Sequence, residues 1–520
     1  MSLFTIHSLS RFFVVGLITM CLSASSLLFF ILKRLKSFKY LNFSVLQLVF
    51  IDLDNLGCIL INLKKIYDNP NSKGEVMIRN LRVKNFRSIQ DSKNIKFSNL
   101  NVFVGPNNSG KSSFLYVLLL LKQTLQDKDS GARLVTTGPH VDLGSYLDII
   151  RGHDPNENLE FEFGLDKKVI SELGFGIGKT SMEFIPYTDY KVELGLNLRA
   201  NTVEVVAFDM SNKAEKILLA GRREKRKWFA TGIPSKLQSH MTLGFDHFVP
   251  LILPKGKVPK DKKLRNEGID LFLKSQMRFR LLQEVFDDIL YVGPLREKIP
   301  YYGILGTMPY TELGPSGQNL MRVLSETVRK GPSRKTLIQE LNYWLDKKFN
   351  ILKRVRIRNI DKAKTVKALI ADDPRGEKNI NLASTGSGLS QIVPVIVQTI
   401  LTPKNRCLIV EQPEIHLHPS AQANLGDLFV EYAKQDRQLI IETHSEHLLL
   451  RIRRRIAENK IPPELVNVFF VEQWGGQTRI RNLKLDDHGH FIRWPRSFFE
   501  EGYKEAMAIA EAPLKRKRKS

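Results

Sequence analysis

The sequence predicts an α/β fold, a mixed sheet with flanking helices and an α+β insertion, from three short apolar runs that each end in chemically able polar residues. Leu100 to Val104 runs straight into Gly105-Pro-Asn-Asn-Ser-Gly-Lys-Ser112, and an apolar stretch follows from Ser113. Arg406 to Val410 ends at Glu411, and Gln438 to Ile441 ends at Glu442-Thr-His444-Ser. Continuous apolar runs of this kind mark strands buried on both faces, and a helix after such a strand is the repeating unit of a parallel sheet. Two other runs, Leu159 to Leu165 and Val192 to Leu198, place apolar residues at every second position, the pattern of antiparallel strands with one buried face.

The first run carries the most specific motif. Gly105, Pro106, Asn107, Asn108, Ser109, Gly110, Lys111 and Ser112 match G-x-x-x-x-G-K-[ST] at every fixed position, with a strand before and a helix after. The glycines let the backbone curl so that N–H groups face phosphates at the positive end of the helix that Ser113 continues. Lys111 is placed to reach the outer phosphates and Ser112 to ligate Mg²⁺. The expected ligands are therefore ATP and Mg²⁺.

The second half of the site lies about 300 residues downstream. A buried strand that delivers Glu411 at its C-terminal end suits a Mg²⁺ site. Upstream of it, Ser384-Thr-Gly-Ser387-Gly388 leads into an apolar helix from Ile392 to Ile400, whose N-terminus is a second anion-binding position. His444 follows the third strand and reaches the same sheet edge.

The order of phosphate loop, Gly-rich signature, acidic strand and histidine resembles that of the ABC-type head ATPases of the RecF, structural-maintenance-of-chromosomes and overcoming-lysogenization-defect classes, often labelled AAA-family ATPases in bacteria. The resemblance spans Met77 to Ala512 and implies a P-loop NTPase head of the ABC type. Val83-Lys-Asn-Phe-Arg87-Ser resembles the first strand of such heads, where the arginine approaches the nucleotide. Trp494 to Met507 resembles a C-terminal domain of unknown function in one bacterial subfamily, and Tyr291-Val-Gly-Pro-Leu-Arg296 resembles a second motif of that subfamily, with no role attached.

The resemblance implies a homodimer in which two protomers sandwich two ATP molecules, with Ser387 and Gly388 of one touching the γ-phosphate held by the other. It assigns Glu411 to Mg²⁺, the following residue to polarising water, and His444 to sensing the γ-phosphate. Here the following residue is Gln412, an amide that cannot accept a proton as a base. Glu414 is the substitute base, or Gln412 orients the water as a glutamine does in small GTPases. Slow hydrolysis is expected, with ATP binding as the main switch controlling a partner effector in DNA maintenance or defence against phage. The alternative is a nucleotide-gated scaffold with little turnover. The stretch after His444 is too short for an appended nuclease and no heptad segment separates the halves, so a nuclease partner would be a separate polypeptide and rod-like arms are excluded. The large insertion and the form of the signature argue against a transporter subunit.

Composition frames these expectations. Lys plus Arg number 79 against 54 Asp plus Glu in 520 residues, a net charge of +25 that favours an anionic partner such as nucleic acid or a membrane surface. Cys21, Cys58 and Cys407 have neither disulfide-framework nor zinc spacing, which suits the cytoplasm. Arg222-Arg-Glu-Lys-Arg-Lys-Trp-Phe229 and Arg451-Ile-Arg-Arg-Arg455 suit phosphate backbones, a solvated surface being the plainer reading of each. His416, His418, His444 and His447 lack a cysteine or a third ligand at metal-site spacing, so a transition-metal site is not expected.

The organisation reads as a hydrophobic extension over 1–76, the N-terminal half of the head over 77–166, a basic insertion over 167–290, the second half over 291–485, and an appendage with a basic tail over 486–520. Phe12 to Leu32 is an uncharged stretch of 21 residues followed by Lys33, Arg34, Lys36 and Lys39. Taken literally it is one inner-membrane anchor with the ATPase facing the cytoplasm. The other reading is translated upstream sequence, because Lys73-Gly-Glu-Val76 is encodable with the AGGAG of a bacterial ribosome-binding site just before Met77. A cleaved export signal is excluded, since it would part an ATPase from ATP.

Overall fold

Two sheets share one layer of helices, and the phosphate loop leaves the middle of one of them. The computed structural model describes residues 78–165, 189–212, 217–224, 227–256, 259–304, 312–325 and 337–493. Phe12 to Leu32, Met77, the run from Trp494 and the basic tail lie outside the described residues. Among the described residues no helix is long and apolar enough to cross a membrane.

The first half supplies β1 (Ile78–Phe86), β2 (Leu100–Val104), α1 (Lys111–Gln126), β3 (Leu159–Leu165), β4 (Asp189–Asn197), β5 (Thr202–Asn212), β6 (Ile217–Glu224), β7 (Lys227–Thr231), α2 (Lys262–Asp287) and β8 (Ile289–Val292). The second supplies α3 (Ser387–Leu401), β9 (Cys407–Glu411), α4 (Pro419–Ala433), β10 (Gln438–Glu442), α5 (Glu446–Ala457), β11 (Val466–Trp474) and β12 (Gln477–Leu483). One sheet has the order β8, β9, β10, β2, β11, β12. Its pairings are parallel except for the β11–β12 hairpin. This is the mixed α/β sheet with flanking helices that the sequence predicts. The loop that follows β2 and the residues that follow β9 and β10 therefore emerge at one edge, the carboxyl ends of parallel strands where ligands bind in open α/β sheets.

The apolar runs are continuous because each strand feeds two cores. Phe103, Ile409, Ile440 and Phe469 face a layer built with α1 and α2, while Val102, Val104, Leu408, Val410 and Ile441 face a second core built with α3, α4 and α5. Phe103 sits at the centre of the first layer, its ring centroid 4.8 Å from Phe469 and 5.5 Å from Phe114 of α1. Helix α1 is further tied down by Lys122, whose buried ammonium donates to the carbonyls of Asp287 and Ile289 at the end of α2. A cation at that end meets the partial negative charge of the helix terminus.

The second sheet is antiparallel and runs from the short strand Ile89–Asp91 through β1, β3, β4, β5, β6 and β7. The alternating pattern of β3 turns Leu159, Phe161 and Phe163 inward against α1 and α2. The second alternating run covers Asp189–Asn197 rather than Val192 to Leu198, because Leu198 turns out into solvent at 61% exposure. Strands β4 to β7, within residues 167–290, extend the sheet that β1 and β3 begin.

Truncating Phe103 to Ala should remove about 3–5 kcal/mol from the unfolding free energy, as for other fully buried aromatics. Phe229 is 62% exposed, and its truncation should change that free energy by less than about 0.5 kcal/mol. Urea unfolding of the two variants checks both values, and equal losses would contradict this placement of the core.

Candidate nucleotide site

The phosphate loop is shaped from below by the β11–β12 hairpin. Gly105 has φ +148°, and a Cβ there would lie 2.0 Å from the Val471 carbonyl oxygen. Gly110 has φ +99°, and a Cβ there would lie 2.3 Å from Thr478 Oγ1. Both positions thus require glycine for conformation and for space. Thr478 Oγ1 donates to the Ser109 carbonyl at 2.9 Å, and Gln473 Nε2 donates to the Asn108 and Ser109 carbonyls at 3.3 Å each. Pro106, Asn107 and Asn108 remain exposed above this clamp. Lys111 Nζ donates to the carbonyls of Gly105 at 3.2 Å and Pro106 at 2.7 Å, holding the ammonium against the inside of the loop. Helix α1 starts at Lys111 without a side-chain cap, so its first N–H groups are available to an anion.

The strand ends bring three glutamates beside the loop. Ser112 Oγ donates to Glu442 Oε1 at 2.9 Å. Glu411, the in-register partner of Glu442 on the neighbouring strand, accepts instead from Tyr291 at 2.6 Å and Tyr116 at 3.3 Å. Glu414 accepts the His444 N–H at 2.6 Å. The second oxygens of Glu414 and Glu442 are buried and have no hydrogen-bond partner among the described residues. Burial, reinforced by the charge of Glu442, pushes the Glu411 carboxyl up to about 7, and burial also raises Glu414 and Glu442. Burial and the nearby Lys111 charge lower the His444 pKa and favour the neutral imidazole.

The Tyr291 to Arg296 segment, which has no role on sequence grounds, turns out to bracket this acidic end. Tyr291 holds the Glu411 carboxylate, and the buried Arg296 guanidinium donates to the carbonyls of Glu411 and Gln412. Gln412 sits at φ +43° with its N–H on the Glu442 carbonyl at 2.7 Å. From the other side, Gln391 of α3 donates to the Arg296 carbonyl at 3.2 Å, and Ser390 Oγ accepts the Ile299 N–H at 3.2 Å. Helix α3 and the end of β9 are thus joined through one segment. Only the resemblance of Tyr291 to Arg296 to a subfamily motif signalled it, because the partners lie far along the chain.

The remaining expected residues are placed as follows. Arg87 packs over the Phe86 ring at 5.9 Å, and its charge reaches Tyr116 on the acidic side of α1. Ser113 lies half-buried in the first turn of α1. Ser387 is exposed at the start of α3, which begins there rather than at Ile392, and a Cβ on Gly388 would lie 2.9 Å from the His416 carbonyl oxygen. Among the described residues no hydrogen bond joins Ser387 or Gly388 to the phosphate loop of the same chain. His418 caps α4. In the basic runs Arg222 pairs with Glu193, Arg223 with Glu204, Arg451 and Arg455 with Asp427, and Arg454 with Glu458.

Among the described residues no cluster of three His, Cys, Asp or Glu side chains is arranged to hold a metal on its own. Mg²⁺ bound with a nucleotide keeps waters and phosphate oxygens as ligands, so a hydroxyl with one or two carboxylates suffices. Ser112 beside the orphaned Glu442 oxygen fits that donor set. The bracket is testable by itself: Tyr291→Phe leaves one Glu411 oxygen without its closest donor and should lower stability by about 1–3 kcal/mol. An unchanged urea midpoint in that variant would contradict the role given to the hydroxyl.

Among solved structures the chain is similar to the SmcHead bound to the C-winged helix domain of ScpA, at 12% identity over 79% of this chain and 98% of that one, with a TM-score of 0.39. It is also similar to the SMC head domain from Thermotoga maritima, at 12% identity, 78% and 99% coverage and a TM-score of 0.36. A third is the Smc head domain with an extended coiled coil bound to the C-terminal domain of ScpA derived from Pyrococcus furiosus, at 11% identity, 84% and 99% coverage and a TM-score of 0.39. No curated protein matches in sequence. Residues 77–247 and 323–449, more than half of the sequence, match the family described as AAA ATPase domain, and the chain belongs to that family.

Proposed function

We propose that two copies of this chain close on two molecules of Mg²⁺-ATP and that this ATP-gated pairing controls a separate effector protein. The observation that carries the nucleotide reading is the hydrogen bond of Ser112 to the buried Glu442 carboxylate at the carboxyl end of a parallel strand, with the Lys111 ammonium held inside the loop and within the electrostatic reach of Glu442 and Glu414. Ser112 and the carboxylates of Glu442 and Glu411 are the residues that would hold Mg²⁺, which when bound neutralises charge on the outer phosphates. Pairing is supported by the exposed start of α3, where Gly386, Ser387 and Gly388 offer an uncapped helix N-terminus to an anion outside the chain. The neutral His444 imidazole is able to hydrogen-bond a γ-phosphate oxygen. Access to ATP puts the head in the cytoplasm. The net charge of +25 supports nucleic acid near the assembly, in DNA maintenance or defence against phage, with a nuclease as one candidate effector.

Hydrolysis requires a base where the family pattern has a carboxylate and this chain has Gln412. Glu414 takes that role: its raised pKa favours proton uptake, and its free oxygen is held in place by the bond of the other to the His444 N–H. A second reading, a scaffold that binds ATP with little turnover, is favoured by Gln412 itself.

ATP binding and turnover by the full chain, with and without DNA, distinguish these readings. Lys111→Ala should weaken ATP binding by about 10² or more, and Glu414→Gln should keep binding while lowering kcat by about 10² or more. Tight binding without turnover in the unsubstituted chain would leave the scaffold reading, and absent ATP binding would sink both. In sedimentation, Mg²⁺-ATP should shift the chain from monomer to dimer, and Ser387→Arg should abolish the shift while leaving nucleotide binding intact. A dimer insensitive to ATP would contradict the sandwich.

A further inference from the structure

We infer that the sheet edge Lys353–Asn359 and the turn that follows it form a binding surface for the phosphate backbone of duplex DNA. The inference rests on the proposal above that nucleic acid lies near the assembly, and it gives that ligand a place on the chain. A small antiparallel sheet precedes α3, with the order Gly303–Ile304, Val366–Asp372, Lys353–Asn359 and with the short strand Ile380–Asn381 also paired to Val366–Asp372. Lys353–Asn359 is therefore an edge strand. It is anchored by Val355 and Ile357, which pack into the second core, and by Asn342, whose side chain bonds both the N–H and the carbonyl of Val355. Every charge on the strand is positive: Lys353, Arg354, Arg356 and Arg358. The turn adds Lys362 and Lys364, both exposed.

Pairing leaves much of this charge uncompensated. Arg354 and Arg356 share one carboxylate, Asp372, at 2.6 and 3.2 Å. Asp361, the only acidic residue from Lys353 to Lys367, accepts from the Thr365 hydroxyl and the Val366 N–H and so shapes the turn. Among the described residues no ion pair joins Arg358, Lys362 or Lys364 to a carboxylate. The basic runs visible in the sequence differ in this respect, since Arg222, Arg223, Arg451, Arg454 and Arg455 each pair with one. Charge on an edge strand also keeps it from pairing with other chains, but that need does not extend to the lysines of the turn. A phosphate backbone fits the arrangement. Residues on the same face of a strand, such as Arg356 and Arg358, recur about every 6.7 Å, close to twice the axial spacing of about 3.4 Å between phosphates of one DNA strand. A lipid surface fits it less well, because membrane-surface segments present an apolar face beside the basic one, and here Val355 and Ile357 are turned into the core. Contacts to phosphates carry no sequence information, so binding is expected to be indifferent to base sequence.

The test is binding of the full chain to a fluorescently labelled DNA duplex of mixed sequence, measured over a range of salt concentrations. Combining Arg358→Ala, Lys362→Ala and Lys364→Ala should weaken binding by about tenfold or more and reduce the slope of log affinity against log salt by about 2–3, as for three lost phosphate contacts. Combining Lys227→Ala, Lys260→Ala and Lys263→Ala removes the same charge from exposed positions outside this sheet and should change affinity by less than about threefold. All six side chains are exposed, so neither variant disturbs the core. Equal losses in the two variants, or no loss in the first, overturn the assignment to this edge while leaving DNA binding by the chain intact. Binding to phosphatidylserine vesicles that depends on Arg358, Lys362 and Lys364, without binding to the duplex, overturns the choice of DNA as ligand. Absence of duplex binding by the unsubstituted chain is the separate outcome that defeats the underlying nucleic-acid reading as well.

Discussion

The enclosure of β2 between β10 and β11 is the pairing on which the rest of the nucleotide site depends. Residues of the phosphate loop and of the acidic strand ends are separated by as many as 330 positions, as for Ser112 and Glu442, and no local interaction brings them together. Parallel pairing does so, because it fixes the register of β2 and β10 and aligns Glu411 with Glu442 at one edge. The β11–β12 hairpin then supports the loop from beneath through Thr478 and Gln473. Such long-range pairing must offset a large closure entropy, which accounts for the weight of apolar residue on both faces of these strands.

That same edge concentrates negative charge where burial makes it expensive. Glu411, Glu414 and Glu442 are each less than a tenth exposed. Their compensation is divided among different groups: tyrosine hydroxyls for Glu411, the backbone N–H of His444 for Glu414, and the Ser112 hydroxyl with the Lys111 charge for Glu442. Arg296 adds a buried cation that faces carbonyls rather than a carboxylate, its pKa lowered to about 10 by burial. Incomplete compensation is what a site for a metal and a polyphosphate requires, since a fully paired cluster would have nothing to offer either ligand. Helix α3 meets this edge through Gln391, Arg296 and the Gln412 backbone, so the contact proposed at Ser387 would have a physical route to Gln412.

Much of this was legible in the sequence where the signal is local. The strands at Leu100 and Gln438 and the phosphate loop between strand and helix could be read because burial on two faces and the glycine spacing leave direct marks. The start of α3 was less legible, because Ser387 and Gly388 begin the helix without a side-chain cap and resemble loop residues. Strand β4 shows its alternation but not its partner, and β5 to β7 went unread, so the sequence marks a basic insertion where the structure continues one sheet. Glu442 was visible as a strand end without a role, since its meaning depends on β10 lying next to β2. Tyr291 and Arg296 stood out as a motif, yet their function lies with Glu411 and Gln412, more than a hundred residues away.

Hydrogen–deuterium exchange of the chain with and without Mg²⁺-ATP tests the central claim most directly, that the nucleotide sits at the joined edge of β2, β9 and β10 and is closed over by a second copy. The account predicts slowed exchange across Gly105 to Ser113 and the segments after Glu411 and Glu442. It also predicts protection at Gly386 to Leu389 that grows with protein concentration. Protection absent from the phosphate loop, or confined to other parts of the chain, would contradict it.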